Sequence, residues 1–132
     1  PEACGILGLD PEVDGARLDA GERMLAALAA KFPKTVIILT LGSKGALWVR
    51  PGEAPGFVPA FPVKAVDTTG AGDTFAGYAV RALLSGDADE AAFAAGMRLA
   101  AMAAALSVTK PGAADSIPTL EAVERALAAN EA

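Results

Sequence analysis

The chain has no histidine and only one cysteine, Cys4, in 132 residues. Those two shortages exclude zinc sites, histidine acid–base catalysis and any internal disulfide, and a reducing cytoplasm is the natural setting for such a chain. Basic residues are also scarce, 11 against 16 acidic ones for a net charge of −5, and they form no cluster. Nucleic acid and anionic membrane both require concentrated Lys and Arg, so neither is expected as a partner. A negative protein that binds an anion must therefore do so locally, through amides and metal. Long apolar runs are missing too: the most apolar segment, residues 91–108, contains Arg98 and is mostly alanine, which reads as a buried helix rather than a membrane span. No period of roughly twenty to fifty residues recurs, so a solenoid is not expected.

What is present is a composition able to bury a core, with 53% hydrophobic and 20% charged residues. Leu18, Leu25 and Leu28 recur near helical spacing and predict a helix over residues 18–32. The β-branched run Val36-Ile37-Ile38-Leu39-Thr40, between Pro33 and Gly42, predicts a fully buried strand of the parallel-sheet type. Residues 45–50 and 57–60, separated by Pro51-Gly52 and Pro55-Gly56, read as a short antiparallel pair, with Pro59 marking a sheet edge. Three further helices are predicted over about residues 72–84, 89–106 and 119–128, each opening near an acid or a hydroxyl. Asp87 with Glu90 resembles a capping box. The small residues of 76–82 and 91–105 let helices approach closely and read as core. Together these elements define an α/β layer fold.

The most informative stretch is Asp67-Thr68-Thr69-Gly70-Ala71-Gly72-Asp73-Thr74-Phe75-Ala76-Gly77. Small residues at 70–72 let the backbone turn tightly and point successive N–H groups at one place, and the helix that follows adds its unpaired amides and positive end. An anion could rest on those amides while Asp73 took a proton from an attacking hydroxyl, the minimum apparatus of phosphoryl transfer. The same string is also an ordinary way to start a helix. It is neither a P-loop, whose Gly-x-x-x-x-Gly-Lys-Ser/Thr run is absent, nor a dinucleotide fingerprint, which would need glycine where Phe75 stands.

With Val63-Lys64-Ala65-Val66 before it, the string closely resembles the second signature of the ribokinase, or pfkB, family of carbohydrate kinases. Thr40-Leu41-Gly42-Ser43-Lys44-Gly45-Ala46 resembles that family's nucleotide loop. Ser107-Val108-Thr109-Lys110-Pro111-Gly112-Ala113 with Ser116-Ile117-Pro118 resembles its monovalent-cation loop. The three motifs stand in the family's order, and the resemblance covers nearly the whole chain. It implies a C-terminal part of a ribokinase-like three-layer α/β/α sandwich, with residues 1–132 as the nucleotide-binding and catalytic portion and with the sugar-binding half and lid outside the chain. Pro1 in place of methionine, and Glu2-Ala3 with Gly8 resembling the end of the family's Asn-x-x-Glu element, fit that expectation.

The resemblance implies roles position by position. Asp73 is the general base, and the turn Gly70, Ala71, Gly72 with the Asp73 amide is the anion hole. Thr40, Gly42, Ser43, Gly45 and Gly72 meet ATP. Asp67, Thr69, Ser107, Lys110, Gly112 and Ser116 ring a potassium ion, mostly through main-chain oxygens, and Glu2 organises magnesium-bound water. Ala101 departs from the pattern, standing where many members carry an Asn near the adenine. The expected partners are a sugar and ATP, with neither nucleic acid nor membrane, and the parent protein is expected to be a homodimer. Two other readings stand beside sugar phosphorylation: a nucleotide-binding fragment without turnover, and a non-catalytic remnant of the fold used as an interaction domain.

Overall fold

The computed structural model describes residues 1–9, 20–86 and 89–132. The chain divides into two compact units, Pro1–Leu41 with Ala46–Phe57, and Gly42–Gly45 with Val58–Ala132.

The first unit contains helices α1 (Glu2–Leu7) and α2 (Ala20–Lys31) and strands β1 (Ile37–Thr40) and β2 (Ala46–Val49). Leu25 and Leu28 of α2 are buried, as their spacing predicts, whereas Leu18 lies outside the described residues. α1 packs on α2 through Cys4, whose thiol lies 3.8 Å from the Met24 sulfur. At the C-terminal end of α1 the Lys31 ammonium donates to the Ile6 carbonyl at 2.7 Å, a cation where a helix leaves orphan acceptors. Strand β3 (Gly56–Val58) completes a three-stranded sheet of order β1-β2-β3. β3 is an edge strand, as Pro59 predicts, but it spans Gly56–Val58 rather than residues 57–60, so Pro59 follows it. Gly56 is required here, because any Cβ would collide with the Trp48 ring.

One expectation is overturned. The apolar run at 36–40 is neither parallel nor fully buried: β1 pairs antiparallel with β2, Ile37 opposite Val49 through Thr40 opposite Ala46, and its residues are half-buried or exposed. A β-branched run specifies extended backbone but not its partner. The loop at residues 41–45 supplies the partner by turning back at once, with Gly42 at φ 59° and Gly45 at φ 116°, conformations that glycine alone takes readily.

The second unit is helical: α3 (Ala71–Leu84), α4 (Glu90–Ser107) and α5 (Leu120–Glu131). α3 and α4 approach closely because both present small side chains, and Gly96 sits so near the Ala82 methyl that it has no room for one of its own. Phe93, Met97, Ala100, Ala103 and Val123 are essentially inaccessible. Fully burying a side chain such as Met97 or Phe93 contributes roughly 1.5–3 kcal/mol. Asp89 caps α4 by accepting from the Ala92 amide at 2.8 Å, and Thr119 caps α5 by accepting from the Ala122 amide at 3.3 Å. The capping box expected at Asp87 lies outside the described residues. Among the described residues no helix is long and apolar enough to cross a membrane.

Candidate active site

The turn that leads into α3 differs from the other two helix starts of its unit. Its N-cap is Gly70, in the left-handed region at φ 79°, and no side chain caps the helix. The Ala71 amide donates to the Thr68 carbonyl at 3.3 Å, and the first i to i−4 bond runs from the Thr74 amide to the Gly70 carbonyl at 2.9 Å. Among the described residues no acceptor takes the amides of Gly72 and Asp73. Of the amides expected to form an anion nest, that of Ala71 is taken up in closing the turn, and those of Gly72 and Asp73 are left without an acceptor among the described residues. Gly72 and Asp73 are both exposed, and a Cβ at Gly72 would meet nothing within 4 Å.

Asp73 also lines a groove of about 240 Å³. Thr74, Gly77, Tyr78 and Arg81 line it from α3, and Ile117 and Leu120 from the segment before and at the start of α5. Tyr78 is fixed by its hydroxyl, which donates to the Pro118 carbonyl at 2.9 Å. The Thr74 hydroxyl oxygen is buried and has no hydrogen-bond partner among the described residues. The sequence reading missed these groove residues, although Asp73, Gly77 and Arg81 recur at four-residue helical spacing along one face.

Behind the turn, the loop that follows α4 runs beside it. The amides of Val66 and Asp67 both donate to the Val108 carbonyl, at 2.7 and 3.1 Å. Asp67 accepts from the Thr69 amide on one carboxylate oxygen at 2.9 Å and from the Gly112 amide on the other at 3.0 Å. These amides hold its carboxyl below the usual carboxylate range, Thr69 contributing most. A Cβ on Gly70 would come within 3.2 Å of the Ala113 methyl.

Of the expected cation ligands, the structure therefore joins Asp67, Thr69 and Gly112 directly. Ser107 and Ser116 are buried and turn their hydroxyls to the Ala104 and Ala113 carbonyls, at 2.8 and 2.7 Å. Exposed Lys110 donates its amide to the Ser107 carbonyl at 3.4 Å. One carboxylate among carbonyls and hydroxyls is an oxygen donor set of the kind that suits a hard cation. Magnesium has less to hold it: no group of three acidic, histidine or cysteine side chains gathers among the described residues. Glu2 is 94% exposed and belongs to the first unit, as does Thr40.

Gly42, Ser43 and Gly45 belong to the second unit, in the hairpin loop that carries a 3-10 turn at Gly42–Lys44. Gly45 is held against the backbone of residues 58–60, where a Cβ would strike the Val58 carbonyl oxygen. Ala101 is buried in α4, so no polar side chain is offered at that position.

The model of the pfkB family carbohydrate kinases matches residues 12–120, and the chain belongs to that family. It is 40% identical over 120 residues to a deoxyribokinase of Salmonella typhi, an alignment covering 89% of this chain and 37% of the relative. Among solved structures it is similar to a ribokinase from Cryptococcus neoformans in complex with ADP, with TM-score 0.76, 31% identity, and 93% of this chain and 40% of that one covered. A fructokinase from Vibrio cholerae, solved with fructose, ADP and potassium ion, matches with TM-score 0.74 and 28% identity over 94% of this chain and 37% of that one. The fold is that of ribokinase-like α/β proteins. The chain spans about two fifths of the length of these relatives.

Proposed function

We propose that this chain is the nucleotide-binding and catalytic portion of a kinase that moves the γ-phosphoryl group of ATP to a hydroxyl of a sugar. The observation that carries the reading is the uncapped start of α3, where two unclaimed amides lie beside the Asp73 carboxylate. With glycine at the N-cap the missing side-chain cap costs only roughly a few tenths of a kcal/mol, so the start of α3 is left open to an anion at little loss of stability.

In this reading the sugar hydroxyl oxygen attacks the γ-phosphorus, its proton passes to the Asp73 carboxylate, and the bond to the ADP oxygen breaks. The amides of Gly72 and Asp73 hold the negative charge on the transferring oxygens, and Gly42, Ser43 and Gly45 give the nucleotide close approach to backbone. The cation loop would hold potassium at Asp67 and neighbouring carbonyls, and magnesium would arrive with the ATP phosphates, neutralising their charge. The deoxyribokinase, ribokinase and fructokinase relatives support a free sugar as acceptor. The single free cysteine and the absence of basic clusters favour a cytoplasmic protein acting on small molecules. A second reading, nucleotide binding without turnover, is favoured for the polypeptide alone by its span of two fifths of its relatives.

Calorimetric titration with Mg-ATP tests the nest. Gly72→Asp, which adds a carboxylate where a side chain meets no obstacle, should abolish binding; equal affinity in both chains would remove the nest from the reading. In a polypeptide carrying this chain with the remaining length of its relatives, Asp73→Asn should lower kcat by about 10²–10⁴ and leave ATP affinity in place. Unchanged turnover would end the assignment of the base.

A further inference from the structure

The turn at 67–73 has no cap of its own, yet Gly70 is held in a left-handed conformation and the Gly72 and Asp73 amides stay unclaimed. Something outside the helix must hold that arrangement. Backbone bonds supply part of it, since the Val66 and Asp67 amides share the Val108 carbonyl. The Ala71 amide also closes on the Thr68 carbonyl within the turn, but among the described residues no backbone bond ties residues 69–73 to the loop after α4. The remaining link is one side chain: Asp67 takes the Thr69 amide with Oδ1 and, from a residue 45 positions away, the Gly112 amide with Oδ2. The first bond closes the turn before α3 and the second ties it to the loop after α4. Gly70 and Ala113 then lie close together, and a side chain at 70 would be both strained by the positive φ and tight against the Ala113 methyl.

We infer that Asp67 is a positioning residue, a clamp that sets the amides of Gly72 and Asp73 facing outward before any ligand or ion arrives. The inference rests on the reading of those amides as an anion nest, but the clamp itself is a property of the loops. It also differs from a role as a cation ligand, because both bonds form to protein amides and need no ion. Two amide donors on one carboxylate are charge-assisted bonds, stronger than neutral ones, and only an acidic side chain of this length can accept both. Asparagine would turn an NH₂ group against one of the two N–H donors.

The test uses the 132-residue chain without monovalent cation other than a bulky organic one. Amide exchange with solvent is measured by NMR at Thr69, Ala71 and Gly112, with Met97 and Ala100 in α4 reporting the fold. In the unsubstituted chain Gly112 should exchange at least about tenfold more slowly than an unprotected glycine; an unprotected Gly112 overturns the clamp without any variant. In Asp67→Asn, exchange at Thr69, Ala71 and Gly112 should rise by about tenfold or more while α4 is unchanged. Loss at Thr69 with Gly112 unaltered would reduce Asp67 to a local turn and sink the proposal. Inorganic phosphate then serves as the probe of the nest: its shifts at the Gly72 and Asp73 amides should weaken at least about tenfold in Asp67→Asn. If phosphate moves neither amide in the unsubstituted chain, the nest reading fails while the exchange data still decide the clamp.

Discussion

Tyr78 shows how a single side chain can report on the site. It is the only tyrosine, it lines the groove beside Asp73, and its hydroxyl is tied to the Pro118 carbonyl. Burial raises its pKa, the Glu124 carboxylate pushes the same way, and Arg81 opposes them. The folded chain therefore holds the phenol proton more tightly than the unfolded chain, whose tyrosine titrates at about 10. Between about pH 10 and the raised folded midpoint the native state binds more protons than the unfolded one, so stability present below that window is lost as pH rises through it. Phenolate absorbance should show one transition displaced upward in the native chain and restored to the ordinary value in denaturant. Arg81→Ala removes the opposing charge and should move it higher still. A native midpoint at the ordinary value would mean that Tyr78 is not packed as described. Asp73 was legible in the sequence because its chemistry lies in a contiguous string, whereas Thr74, Tyr78 and Arg81 acquire meaning only once α3 and the segment before α5 enclose a groove.

At the level of elements, helices were the legible part and strand pairing was not. α3, α4 and α5 begin and end within a residue or a few of their predicted bounds, because helical periodicity and caps are written locally. β1 was predicted as a strand but as a fully buried one of the parallel-sheet type, since its apolar run is equally compatible with a parallel sheet interior and with a hairpin. The discriminating signal was the pair Gly42 and Gly45 only a short loop before Ala46, a length suited to a hairpin. The same contrast separates the helix starts: Asp89 and Thr119 cap α4 and α5 with oxygen atoms, while α3 opens bare at Gly70. Asp89→Ala should therefore lower stability by about 1 kcal/mol in urea denaturation, as for other lost N-caps. A loss well below about 0.5 kcal/mol would show that the Asp89 bond to Ala92 is not maintained in solution.

Across the whole molecule, the distribution of apolar side chains separates what holds the fold from what merely belongs to it. In the second unit Met97 and Val123 are completely inaccessible, and the groups around them are packed closely enough that small residues are needed on facing helices. On the opposite extreme, α3 exposes Val80 at 50% and Leu84 at 80%. The alternation of these two environments on consecutive helices explains why 53% hydrophobic content coexists with a modest inaccessible core. Substitutions should divide accordingly. Met97→Ala removes packed atoms from a site with no room to collapse freely and should cost about 2–5 kcal/mol, whereas Leu84→Ala should stay within about 0.5 kcal/mol. Val80→Lys and Leu84→Lys together should leave stability as it is and lower light scattering in concentrated solution, because they interrupt an exposed apolar face. Denaturation of the three variants followed through Tyr78 and far-ultraviolet circular dichroism makes the comparison. A Leu84→Ala penalty equal to that of Met97→Ala would mean that the outer face of α3 is covered in solution, and the division of this unit into an inner core and a bare outer face would have to be abandoned.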